Sequence, residues 1–312
     1  MIARIEELMK HDVAGDPITG VKWTRRTTEK IADELGALGI HVCANTVARL
    51  LKELDYSLRV NHKRVARASG LDRNEQFEYI AAQRTSFAGR DLPIVSIDTK
   101  KKELIGNFKN AGTAWHRTPE LVSDHDFRSD ATGIGIPYGV YDVRANQGTV
   151  FVGTSHDTPQ FAVDNLARWW HSEGSQRYPR APELLVLADG GGSNSARSHA
   201  FKYALQERLA DPCHLTVTVC HYPTGASKWN PIEHRLFSEI SKNWAGCPLR
   251  TYETMLNHLR TTRTDSGLSV TAQLVDQEYA KGVKTTRNQL ASVLLTPHHT
   301  QPKRNYTIRP RT

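Results

Sequence analysis

The sequence predicts an α/β fold, a mixed five-stranded sheet packed with helices, preceded by a small all-α module. Two apolar runs bounded by turn residues, Pro93-Ile-Val-Ser-Ile-Asp98 and Leu184-Leu-Val-Leu-Ala-Asp189, read as buried strands. Past residue 93, strand-like and helical patterns alternate, as in sheets covered by helices. Before residue 60, apolar residues recur at helical spacing on both sides of a glycine-containing turn.

Residues 1–60 form the helical module. Thr27 is placed to cap a helix through Ile31 and Leu35. Gly36-Ala-Leu-Gly39 turns the chain, and Asn45 is the expected N-cap of a second helix ending near Leu54. Helix, turn, helix is the outline of a DNA-reading motif whose second helix enters the major groove. Thr46, Arg49 and Lys52 lie on its expected exposed face. A plain helical hairpin has the same outline. Residues 61–90 are expected to be a basic linker, with Lys63 and Arg64 tracking a polyanion, followed by a helix over 75–86.

Residues 91–250 carry the sheet. Strands are expected at 94–98, 138–143 and 149–152, the last two joined by a hairpin at Asn146-Gln-Gly148. An amphipathic helix over 158–172, a strand over 184–189, a helix over 195–210, a strand over 215–220 and a helix over 230–244 follow. The order β β β α β α β α is that of the ribonuclease H-like fold. Residues 251–312 read as a helical extension and a basic C-terminal arm; from Pro297 onward there are four basic residues and no acid.

Net charge is +8 over 312 residues, which favours a polyanionic partner such as DNA. No run of about 18 apolar residues predicts a membrane span, and the N-terminus lacks a signal core, so the expected location is cytoplasmic. Cys43, Cys213, Cys220 and Cys247 form no CxxC pair, which argues against a zinc site or a disulfide scaffold. No dinucleotide fingerprint or P-loop occurs, since Gly190-Gly-Gly192 lacks the spacing and the lysine.

Three acids carry the chemistry. Asp98 and Asp189 end the first and fourth strands, which are neighbours in this fold, and Glu233 opens the last helix. Carboxylate oxygens are the hard donors that Mg²⁺ prefers. Two ions about 4 Å apart stabilise the attacking and leaving oxygens of an in-line displacement. Each acid alone has a duller reading: a strand end, a turn, a helix-dipole partner. Together, in this order, they predict catalytic and metal-binding roles for Asp98, Asp189 and Glu233, with two ions of Mg²⁺ or Mn²⁺. Lys101 and Lys228 are candidate DNA-phosphate contacts, and Gly190–Gly192 offers amides to an anion. Glu103, Glu239 and the Asp124-His125-Asp126 cluster are weaker candidates.

Ser96-Ile-Asp-Thr-Lys-Lys-Lys-Glu103, Ala188-Asp-Gly-Gly-Gly-Ser-Asn194 and Ser227-Lys-Trp-Asn-Pro-Ile-Glu-His-Arg-Leu-Phe237 resemble the ISAzo13 family of insertion-sequence transposases. The Asn-Pro-Ile-Glu-His block also resembles the broader IS630/Tc1-mariner group. The resemblance implies a metal-dependent DDE transposase that cleaves DNA at terminal inverted repeats and joins the freed 3′-hydroxyl to target DNA. It also implies the triad Asp98, Asp189 and Glu233, and a homo-oligomer pairing two transposon ends. Relatives carry more sequence before the segment matching Gly15, so an N-terminally truncated copy is expected. A metal-dependent nuclease on the same fold, or an inactive DNA-binding copy, are the alternatives.

Overall fold

The computed structural model describes residues 2–3, 5, 14–15, 22–23, 27–54, 56, 70–115 and 117–311. They fall into two compact units, Met1–Val65 and Ala66–Thr312.

In the first unit, α1 (Thr28–Ala37) and α2 (Ala44–Glu53) pack through Ile31, Leu35, Val47 and Leu50, with Ile5 against them. The Thr27 side chain accepts the Lys30 amide, as the sequence predicts. Gly39 takes a left-handed turn (φ 79°), which lets the Ile40 amide reach back to Leu35. The N-cap of α2 is Cys43, not Asn45: the backbone is already helical at Ala44, so Asn45 falls in the first turn. Ala14–Gly15 and Lys22–Trp23 form a short antiparallel ladder.

The second unit starts with α3 (Gly70–Gly89), longer than the helix expected over 75–86. Its sheet strands are β1 (Ile94–Thr99), β2 (Glu103–Ile105), β3 (Gly133–Asp142), β4 (Gln147–Gly153), β5 (Glu183–Ala188), β6 (Thr216–His221), β7 (Ser269–Val275), β8 (Leu295–Pro297) and β9 (Asn305–Ile308). The order across the sheet is β8-β9-β6-β5-β1-β3-β4-β7, with β2 paired to β3. The five expected strands form its centre in ribonuclease H-like order, with β1, β5 and β6 parallel and β3 and β4 antiparallel.

Four described strands enlarge that centre. β7 runs parallel to β4 at one edge. At the other, β9 pairs antiparallel with β6, and β8 with β9. The tail expected as an extended basic arm is therefore part of the sheet. Tyr306 and Ile308, at alternate positions, are fully buried, and this burial outweighs the repulsion among the tail's cations.

Both faces of the sheet are covered. Leu184, Val186 and Ala188 of β5 join Phe161 and Leu166 of α4 (Pro159–Trp169) and Phe201 of α5 (His199–Leu205). Leu185 and Leu187 point the other way, to Ile80 and Phe87 of α3. The cap of α5 is Ser198, because the earlier polar residues at Gly192–Asn194 are spent on a 3₁₀ turn. A π-turn at Glu233–Phe237 leads into α6 (Ser238–Asn243), which with α7 (Tyr252–Arg260) covers β3 and β4. No helix among the described residues is long and apolar enough to cross a membrane.

Gly139 admits the π-turn to the sheet. It pairs with Asp98, and a Cβ there would sit 2.8 Å from both Ile232 Cδ1 and Phe237 Cε1. Gly139→Val should therefore destabilise by about 1–3 kcal/mol through overpacking. Thermal denaturation checks this: an unchanged midpoint would show that the turn does not rest on β3.

Candidate active site

Parallel pairing sets the first two acids side by side. β1 and β5 are in register from Ile94↔Leu185 to Ile97↔Ala188, and one more step brings Asp98 level with Asp189. Both follow the parity of Ser96 and Leu187, so both lie on the face that α3 and the π-turn cover. The Thr99 amide donates to Asp98 Oδ1 at 2.7 Å, and the Gly191 amide to Asp189 Oδ1 at 3.1 Å. Each carboxylate is thus oriented by the backbone through one oxygen, and its Oδ2 has no hydrogen bond among the described residues.

Glu233 is brought to the same edge by a buried polar clamp. Ser96 Oγ donates to Asn230 Oδ1 and accepts the Ile232 amide at 3.1 Å. Asn230 Nδ2 reaches the Ile97 carbonyl at 3.4 Å. Ser96 and Asn230 are both fully buried. The clamp fastens the residues just before Glu233 to the strand that carries Asp98.

The electrostatics follow from this proximity. Burial first, and then the Asp189 charge, push the Asp98 carboxyl up to about 8. Glu233 and Asp157 add smaller increments of the same sign. Glu233 is itself raised, by burial first, with Lys100 opposing. Lys100 is nearly buried; its Nζ lies 3.7 Å from Glu103 and 4.7 Å from the Trp244 ring centre, which holds it beneath the site. Burial lowers its pKa. Glu103, a weaker ligand candidate in the sequence, is engaged by Lys100 and Lys101 instead.

A cleft of about 300 Å³ opens over Asp98, Asp189, Lys101, Lys102, Asp157 and the Gly191–Ser193 turn. Ser193 is 5% exposed there, and its Oγ has no hydrogen-bond partner among the described residues. Asp157 is an acid that sequence reasoning missed. It lies between β4 and α4, accepts from Thr99 Oγ1 at 3.2 Å and faces Lys102 Nζ at 3.8 Å. No apolar run leads into it, so only the tertiary fold reveals it. Ser96 and Asn230 were missed too, although the polar Asn-Pro step just before Glu233 is a visible cue.

Among the described residues no three His, Cys, Asp or Glu side chains are grouped to hold a metal ion by themselves. The donor set still fits Mg²⁺ or Mn²⁺. Mg²⁺ takes one or two carboxylates and completes its shell with water and substrate phosphate. Asp98 and Asp189 offer two such oxygens in register.

Lys101 is exposed at the mouth of the cleft and shares Glu103 with Lys100. Lys228 is exposed, with Nζ 5.4 Å from the Trp229 ring centre. Thr46, Arg49 and Lys52 belong to the first unit; Arg49 pairs with Glu53 at 2.7 Å, and Thr46 Oγ1 contacts Cys43 Sγ at 3.4 Å. Lys63 and Arg64 lie outside the described residues. Asp124, His125 and Asp126 are exposed on the loop before β3, with His125 stacked on Phe127. Cys220 is buried and all four cysteines are free.

Over residues 4–310 the sequence matches the family described as Rhodopirellula transposase DDE domain. The chain belongs to this family. Among solved structures, this DDE transposase family member is similar to a Mos1 transposase paired-end complex with left transposon end. The two are 16% identical with a TM-score of 0.43, over 81% of this chain and 68% of that one. It is also similar to a mariner Mos1 paired-end complex with Mg, at 15% identity and TM-score 0.43, with the same coverage of 81% and 68%. No curated protein matches the chain.

Two measurements test the site. Asp98 keeps a proton in the folded state that the unfolded chain releases, so folding stability falls as pH rises from about 4 to 8. In EDTA, Asp98→Asn should gain stability over the parent across that window; parallel midpoint-versus-pH curves would show that Asp98 is not strained. Asn230→Ala leaves Ser96 Oγ without its acceptor in a buried place, at a cost of about 1–3 kcal/mol. Urea denaturation reads it, and a change below about 0.5 kcal/mol would remove the clamp from the account.

Proposed function

We propose that this DDE transposase cleaves DNA at the terminal inverted repeats of its element and joins the freed 3′-hydroxyl to target DNA. The observation that carries the reading is the register that sets Asp98 beside Asp189, with Asn230 and Ile232, just before Glu233, clamped to the same strand. Family membership supports it over nearly the whole chain.

Asp98, Asp189 and Glu233 would hold two ions of Mg²⁺ or Mn²⁺, which supply an activated attacking oxygen and neutralise charge on the scissile phosphate. The chain's own groups do the rest. The Thr99 and Gly191 amides fix the two aspartates before substrate arrives, so little is lost to reorganisation on binding. The unpartnered Ser193 hydroxyl offers a donor to a phosphate oxygen. Lys101 at the cleft mouth and exposed Lys228 neutralise flanking phosphates. Thr46, Arg49 and Lys52 read the repeat through the major groove, with Lys63 and Arg64 along its backbone. Two copies pair two ends. The protein acts at the bacterial nucleoid.

The deciding experiment is a strand-transfer assay on labelled DNA carrying the terminal repeats, in Mg²⁺ and in EDTA. Joining in Mg²⁺, its loss in EDTA and its loss in a folded Asp189→Asn variant are expected, with a fall of at least about 100-fold. Cleavage without joining would make the protein a nuclease. Joining by Asp189→Asn at the parent rate would discard the acid triad.

A further inference from the structure

Beside the acidic edge lies a group of cations that form no ion pair among the described residues. Arg73 comes from the first turn of α3, Arg197 from the chain before α5, Lys228 from the loop after β6, and Arg304 from the turn before β9. Arg73 Nη1 and Arg304 Nη2 both bond to Thr224, at its carbonyl (3.2 Å) and its hydroxyl (3.4 Å). Arg304 Nη1 also donates to the Tyr222 carbonyl at 3.1 Å. It lies so close to the residue after Asp189 that a Cβ on Gly190 would stand 3.4 Å from it. Arg197 is near enough that its charge, after burial, lowers the Arg304 pKa.

Aromatic rings continue the group. The Arg73 guanidinium sits 5.7 Å from the Phe77 ring centre, Phe77 meets Trp229 edge-on at 5.8 Å, and Lys228 Nζ lies 5.4 Å from Trp229. Trp229 is 55% exposed, an unusual cost for so large an apolar ring. Elsewhere this unit pairs its arginines with acids: Arg90 with Glu183, Arg208 with Asp164, Arg260 with Glu253. Among the described residues, Arg73, Arg197, Lys228 and Arg304 form no ion pair. The fixed contacts of Arg73, Arg304 and Lys228 are backbone carbonyls, a hydroxyl and ring faces, which leave guanidinium and ammonium donors to spare.

We propose that Arg73, Arg197, Lys228 and Arg304, with the exposed face of Trp229, form a track for consecutive phosphates of the DNA strand entering the acidic cleft. This rests on the functional reading above and adds the path by which substrate reaches the site. The chemistry favours a polyanion over a single anion, because the cations come from four separate segments of the chain. A row of phosphates relieves their mutual repulsion, and displacing condensed counter-ions makes the binding salt-dependent. Trp229 gives a base or sugar a stacking surface at the end of the track nearest the Glu233 turn.

The test is binding of the full chain to a labelled DNA duplex in EDTA, by fluorescence anisotropy, from roughly 50 to 200 mM salt. Arg197→Ala and Lys228→Ala should each reduce the slope of log affinity against log salt by about 1, and the double variant by about 2. Arg197→Lys should keep the parent slope. Neither side chain makes a hydrogen bond among the described residues, and a matching thermal midpoint confirms the fold. A folded double variant with the parent slope would overturn the track. Asp98→Asn separates this result from the functional reading. The track requires that variant to bind with the parent slope, and the reading requires it to lose cleavage. If it still cleaves, the reading falls; if the double variant binds like the parent, the track falls.

Discussion

Like charges held close in a half-dry place are the constraint on which the second unit depends. Nothing local would put Asp98 beside Asp189. Parallel pairing of two buried strands does so, because the register is fixed by five apolar side chains on one face and three on the other, and a slip by one residue would exchange the two sets between differently packed layers. The cost appears as an aspartate that holds its proton to about pH 8. Lys100 does not relieve it. Lys100 lies against the Trp244 ring and Glu103, where it compensates Glu233 more than Asp98. The core thus supplies the energy that keeps the acids together, and the acids store part of it as unrelieved repulsion.

The third acid depends on a second constraint, the approach of a turn to a strand. Gly139 lacks the side chain that would hold Ile232 and Phe237 away, and Ser96 supplies the hydrogen bonds that draw Asn230 and Ile232 in. These two residues do opposite things on neighbouring strands: one makes room and the other makes contact. The π-turn that follows widens the helix at Glu233, a departure from regular geometry that tends to be retained where function needs a side chain re-aimed.

The central strands were legible because burial writes itself into sequence as apolar runs, and Asp98 and Asp189 stood out as the charges that end them. The caps were less legible. Ser193, Asn194 and Ser195 have the right chemistry for capping α5, yet Gly192 opens a 3₁₀ turn that uses them and leaves the cap to Ser198. Asp157 left no signal, since Ser155-His-Asp-Thr158 looks like any polar loop and its meeting with Thr99 is made by the fold. The C-terminal strands were hidden for a different reason. Asn305-Tyr-Thr-Ile308 is too short and too closely flanked by arginines to read as a strand, and its partner β6 lies far back in the chain. Four cations looked like a free arm because pairing at a sheet edge is non-local.

That hairpin joins the two halves of the charge pattern. An unpaired β6 would offer its backbone to another chain, and β9 covers it. In doing so β9 buries Asn305, whose amide exchanges hydrogen bonds with Gln76 of α3, and sets Arg304 against the Tyr222 carbonyl beside the Asp189 turn. Gln76 also holds the His221 carbonyl at the end of β6. β9, next to the edge strand β8, therefore fixes the position of α3 with its Arg73 and, through Arg304, of the loop through Thr224. Carboxylates occupy the ends of the central strands and unpaired cations the adjoining margin. On the proposed function, a polyanion drawn to the margin would be led to acids that repel it without bound cations, so attraction and chemistry would be divided between neighbouring surfaces of one sheet edge.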